Sequence, residues 1–76
     1  MKRRYGRASA LVIRLLLKSR SMTVSSLGER AQIPPATMTR IMAGRSPELH
    51  RLAAISAVLE IGLADLVSMI DDAANL

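Results

Sequence analysis

The sequence predicts an all-α fold, a compact domain of five short helices. Three observations carry this. Apolar residues recur at three- and four-residue spacings along most of the 76 residues. Proline, glycine and small hydroxyl residues punctuate those runs where helices start and stop. The only aromatic residue is Tyr5, so the core must be built from Leu, Ile, Val, Met and Ala. That composition suits packed helices better than a sheet, which favours aromatic and β-branched residues.

Residues 1–7 show no apolar periodicity and read as a flexible basic arm, with the folded domain spanning residues 8–76. From Ala8 to Ser19 the pattern is helical, with Leu11, Leu15 and Lys18 on one side and Val12 and Leu16 beside them. Apolar on most of its circumference, this helix is expected to be largely buried. Thr23 is the N-cap candidate of a second helix carrying Leu27, Arg30 and Ala31. Pro34 turns Ile33 away from helical geometry, and Pro35 is tolerated as a first helical residue. The third helix therefore runs Pro35 to Ala43, with Met38, Ile41 and Met42 inward and Gly44 in the C-terminal glycine position. Ser46 is expected to cap a fourth helix with Pro47 at its first position and an inner face of Leu49, Leu52, Ala53, Ser56 and Leu59. Gly62 interrupts it, and a last helix from Leu63 carries Leu66, Val67 and Ile70, with Asp71 to Leu76 fraying.

A chain of this length holds one domain with a small core. It has no cysteine, which excludes disulfides and thiolate metal sites. The first apolar stretch, Ala10 to Ile13, is interrupted by Arg14 and falls far short of the ~20 residues of a spanning helix. No small-residue cleavage site follows the basic start, so the expected location is cytoplasmic, with no membrane partner. Charge is unevenly spread. Met1 to Arg20 holds seven Lys/Arg and no acid, whereas Leu52 to Leu76 holds Glu60, Asp65, Asp71, Asp72 and no base. A polyanion would meet the N-terminal part and the middle of the chain. The plainer reading of such a run is a solubilising charge distribution.

The second and third helices, residues 23–44, form two short helices around a tight turn. That is the helix-turn-helix unit, whose second helix enters the DNA major groove while the first braces on the backbone. The stretches Thr23…Leu27-x-Glu29-Arg30-Ala31-x-Ile33 and Thr37-Met38-Thr39-Arg40-Ile41-x-x-Gly44-Arg45 carry a resemblance. So do Pro47-x-Leu49-x-x-Leu52 and Leu59-x-Ile61-x-Leu63-x-x-Leu66. Together they resemble the lambda-repressor and Cro-like helix-turn-helix family from Met22 to Val67. The resemblance implies a lambda-repressor-like fold and a phage or prophage repressor- or Cro-like regulator. The chain departs from the family pattern at four places. Val24 replaces a backbone-bracing glutamine, and Gln32 and Glu60 stand where glycine is usual. Pro34 and Pro35 replace polar residues at the start of the recognition helix.

With Met38 and Ile41 inward, the opposite face of the third helix carries Ala36, Thr37, Thr39, Arg40 and Ala43. Arg40 is the leading candidate for direct readout, since arginine pairs with guanine O6 and N7; a solvated or phosphate-binding arginine is the plainer reading. Pro35 and Ala36 either contact thymine methyls or, in the case of Pro35, merely start the helix. Thr37 and Thr39 are candidate base or phosphate contacts. Arg45 matches a basic position that the resemblance places along the DNA backbone. Ser25 and Ser26 open the bracing helix, where unpaired amides suit a phosphate. Lys2, Arg3, Arg4 and Arg7 form an arm suited to the minor groove, or a plain solvated tail. Tyr5 either packs on the first helix or lies on the DNA backbone.

No catalytic triad, phosphate-binding glycine loop, carboxylate pair or metal motif is present, and His50 reads as an exposed helix residue. The expectation is therefore no enzyme, no metal, no cofactor and no small-molecule ligand. Double-stranded DNA is the expected partner, bound by a homodimer whose interface includes Leu66, Met69, Ile70 and Ala73; the plainer reading of that stripe is core within one chain, and only part of it can be both. The other readings are a phage excision or recombination accessory factor, an antitoxin, a protein-interaction module reusing the fold, and a basic membrane-surface peptide.

Overall fold

The computed structural model describes residues 2–76, with side chains from Tyr5 onward. Five helices follow in order: α1 Lys2–Ser19, α2 Val24–Ala31, α3 Pro35–Met42, α4 Leu49–Leu59 and α5 Leu63–Ala74. This is the all-α architecture expected. α1 lies along α5 and also touches α3, while α2 is held between α3 and α4. The core that they enclose contains Ile13, Leu17, Leu27, Ile33, Met38, Ile41, Leu52, Ile55, Leu59, Leu66 and Ile70.

The first helix differs from its expected form. It is helical from Lys2, so the segment read as a flexible arm continues α1. The reason is packing. Gly6, Ala8, Ser9 and Ala10 are all buried. Small residues there bring the α1 backbone close to the chain after α3. The Ser9 hydroxyl, with no exposure, donates to the Gly6 carbonyl at 2.9 Å instead of reaching another element. The face is also rotated from the expected one. Val12, Ile13, Leu16 and Leu17 are buried, while Leu11 and Leu15 are 50% and 59% exposed. Four consecutive apolar residues cannot all face inward on one helix, and the tie to α5 selects the Ile13–Leu17 side.

Three helices end in left-handed residues that are not glycine: Ser21, Gln32 and Glu60, at φ 51°, 57° and 56°. Each is followed by an amide that reaches back over the helix end: Met22 to the Leu17 carbonyl, Ile33 to Gly28, and Ile61 to Ser56. This pairing satisfies carbonyls that would otherwise be left at the helix terminus. Gln32 and Glu60 are two of the positions where glycine is usual in the family pattern.

The start of α4 is a second correction. Ser46 is not its cap. The chain stays extended through Glu48 (φ −71°, ψ 154°), and helical bonds begin with Arg51 and Leu52 donating to the Glu48 carbonyl. Leu52 is the first α4 side chain to enter the core, together with Ile55, Ser56 and Leu59. Leu49 is 65% exposed, and Ile55 takes the inner place expected for it. α5 remains helical to Ala74 rather than fraying from Asp71.

Candidate nucleic-acid interface

The position of α3 is set by the turn before it. Thr23 caps α2, its hydroxyl oxygen accepting from the Ser26 amide at 3.0 Å. At the other end Gln32 reverses the chain, and Ile33 is buried beneath it. Pro34 is extended and Pro35 is the first residue of α3. Gly28 lets the two helices approach: a Cβ there would lie 2.8 Å from Met38 Cγ. Met38 and Ile41, four and seven residues after Pro34, are thereby anchored in the core. Pro35, Ala36, Thr39, Arg40 and Ala43 are left exposed on the other side, with Thr37 half-buried at the edge.

The far end of α3 is also tied down. Gly44 adopts φ 109°, and the Arg45 amide reaches back to the Arg40 carbonyl at 3.0 Å. Arg14 of α1 donates through Nη2 to the Met42 carbonyl at 3.0 Å, placing a cation at the negative end of the α3 dipole. The Gly6 backbone lies directly against Gly44 and Ser46.

Between α3 and the start of α4 is a polar hollow of about 200 Å³. Thr37, Arg40, Arg45, Ser46, Glu48 and Arg51 line it. Three guanidinium groups around one hollow form a cradle for oxyanions, since their planar forks match phosphate geometry. The Arg51 Nε is buried without a hydrogen-bond partner among the described residues. Such a donor is costly to leave unmade, and being buried it meets an external acceptor only if the Arg51 side chain shifts. Glu48 is the one acid on the rim and partly offsets these charges. A groove of about 600 Å³ lies between α2 and α3, its apolar lining of Val24, Gly28, Ile33, Pro34, Pro35 and Met38 interrupted by Ser25, Glu29, Gln32 and Thr39.

The predicted site residues fall into groups. Thr37, Arg40 and Arg45 come together at the hollow. Pro35 and Ala36 are exposed at the head of α3. The Thr39 hydroxyl donates to the Pro35 carbonyl at 3.0 Å, which leaves its oxygen as an acceptor only. Ser25 is exposed on the first turn of α2, but the Ser26 amide is already taken by Thr23. Arg7 is exposed beside the Gly44 turn, well away from any free arm. The side chains of Lys2, Arg3 and Arg4 lie outside the described residues.

Tyr5 is half-buried and packs against the core rather than projecting. Burial, and then the nearby Asp71 carboxylate, push its hydroxyl pKa above the usual tyrosine value. The expected dimer stripe does not survive as a unit. Leu66 and Ile70 have no exposure and belong to this chain's own core; only Met69 is exposed, with Ala73 half-buried. On α5 the i, i+4 pair Leu66–Ile70 faces α1 and α4, so a second copy has no access to it.

Arg51, Arg14 and Gly6 were not singled out by sequence reasoning. Arg51 sits one residue before the core residue Leu52, a place that a helical stripe alone reads as solvent-facing. The signal that points to it is its closeness in sequence to the Gly44–Pro47 turn. Among the described residues, no three of His, Cys, Asp and Glu stand together as a metal site requires. No single described helix is long and apolar enough to cross a membrane.

A family model described as the Cro/C1-type helix-turn-helix DNA-binding domain matches residues 12–72, from within α1 to near the end of α5. The chain belongs to the Cro/C1-type helix-turn-helix family. Comparison with curated proteins and with solved structures gave no match. Membership makes this a DNA-binding regulatory domain of Cro/C1 type, with double-stranded DNA as partner. In it, α2 and α3 are the two helices of the motif.

Proposed function

We propose that this Cro/C1-type domain is a sequence-specific transcriptional regulator, a repressor or Cro-like protein, that lays α3 in the major groove of operator DNA. The observation that carries this reading is the two-sidedness of α3. Met38 and Ile41 are held in the core while Arg40 stands exposed beside Arg45 and Arg51. One face fixes the helix, and the other offers guanidinium groups for a guanine edge and for flanking phosphates. Arg40 reads base, Arg45 and Arg51 bind backbone, and Thr37 sits at the boundary between them. Ser25 at the α2 start and Arg7 beside Gly44 supply further backbone contacts on either side.

A single short helix reads too few bases for useful selectivity, so the regulator acts as a homodimer on a pseudo-palindromic site. With Leu66 and Ile70 in the core, Met69 and Ala73 are the residues of the α5 stripe left for a second copy. Occupation of promoter DNA then blocks transcription in the compartment that holds the nucleoid.

The test is binding of the purified protein to the DNA upstream of its own gene, against scrambled DNA, at two salt concentrations. The reading expects binding that survives competitor DNA and is lost on Arg40→Ala. Equal binding to both DNAs that collapses with salt would mean that phosphate contacts alone are made.

A further inference from the structure

The exposed head of α3 is poor in hydrogen-bonding side chains, with Thr37 half-buried at its edge. Pro34, Pro35 and Ala36 are exposed and carry no polar side-chain atom. The two prolines also lack a backbone donor. Thr39, one turn further along the exposed face, has its hydroxyl committed to the Pro35 carbonyl at 3.0 Å. Its methyl is the other branch of the same exposed residue. The apolar surface continues into the groove lined by Val24, Ile33, Pro34, Pro35 and Met38, whose lining also includes Ser25, Glu29 and Gln32. Only at Arg40 does the exposed face regain strong donors.

In the major groove, base edges present donors and acceptors in four distinct patterns, and the thymine C5-methyl is the one apolar feature among them. A base edge pressed against Pro35 and Ala36 loses its water without gaining a partner unless a methyl faces the protein. We propose that the Pro35–Ala36–Thr39 surface reads thymine methyl groups, so that the preferred half-site places thymines beside the guanine bound by Arg40. The proposal rests on the reading of α3 as a major-groove helix and adds what that helix selects. Specificity is then divided within one helix: apolar contact over the first turn, and bidentate pairing over the second.

The experiment uses the wild-type protein throughout its first two arms. Binding sites are selected from a random DNA pool, and single thymines of the selected site are then replaced by deoxyuridine, which removes only the methyl. The expected result is a thymine run next to guanine, with affinity falling about fourfold for each contacted methyl removed. Deoxyuridine outside the half-site leaves binding unchanged. In a third arm, Ala36→Ser, a substitution that a first helical turn accepts readily, reduces the penalty at one thymine. A selected site without thymines, or one indifferent to deoxyuridine, overturns the proposal while leaving sequence-specific binding intact. Failure to select any sequence would remove the underlying reading, and the proposal with it.

Discussion

The Gly6 backbone rests against the Gly44 carbonyl, so that a Cβ at Gly6 would come within 2.8 Å of the Gly44 carbonyl carbon and 2.9 Å of the Ser46 nitrogen. This contact joins the start of α1 to the turn that ends α3. A side chain at this position would meet backbone atoms, so only glycine fits without a shift. The orientation of α3 thus depends on a glycine more than thirty residues away in sequence.

Gly6→Ala is therefore expected to destabilise the fold by about 1–3 kcal/mol, since backbone rather than a flexible side chain must move. Thermal and urea unfolding measure it directly. For a domain of this size the loss corresponds to roughly 4–8 °C in Tm per kcal/mol. An unchanged midpoint would mean that the two backbones are not held together.

Gln32 and Glu60 carry the opposite prediction. Both are at φ near +57°, where an L side chain is strained and glycine is not. Gln32→Gly and Glu60→Gly should each stabilise by about 0.5–1 kcal/mol, the relief of strain exceeding the extra entropy of an unfolded glycine. Because they cap different helices, the two gains should add. Urea midpoints at constant slope are the readout.

The arginines around the hollow should separate by behaviour on DNA. On the reading proposed above, Arg51→Gln removes a phosphate contact, so binding weakens by a similar factor on all sequences and the salt dependence falls by about one ion. Arg40→Ala instead costs about 1–3 kcal/mol of discrimination between the preferred site and one altered at guanine. Titrations at several salt concentrations, on both sites, distinguish the two roles.

Tyr5 is the only aromatic residue and so gives an unobstructed alkaline titration by ultraviolet absorbance. Its folded-state pKa is raised, first by burial and second by Asp71. The fold therefore favours the protonated phenol. That contribution is complete below the unfolded value near 10 and is lost as pH rises through the higher folded value. Asp71→Asn should lower the midpoint partway, because burial, the larger cause, remains.

The boundaries of α2, α3 and α5 are legible because local chemistry marks them without tertiary knowledge: Thr23 before α2, Pro35 at the start of α3, Gly44 after it, and Gly62 before α5. The exposed face of α3 is legible for the same reason, since Met38 and Ile41 fix the inward direction. Other features depend on partners distant in sequence. The rotation of α1, which exposes Leu11 and Leu15, is chosen by α5. The helical state of residues 2–7 follows from Gly6 meeting Gly44, which no local pattern reveals. Arg51 joins Arg40 and Arg45 only because an extended stretch through Glu48 carries it back over the end of α3. Periodicity on α5 places Leu66, Ile70 and Met69 near one another without saying which of them the first helix covers.

The most direct test of α3 as the DNA-reading element is the change in backbone and arginine side-chain NMR signals when unlabelled duplex carrying the selected site is added to labelled protein. The account predicts the largest changes at Ala36 to Arg45, at Ser25, and at the Arg51 Nε–H, with little change at Asp65, Asp71 and Asp72. Changes concentrated instead on the exposed Leu11–Leu15 side of α1 or on α5, with α3 silent, would contradict it.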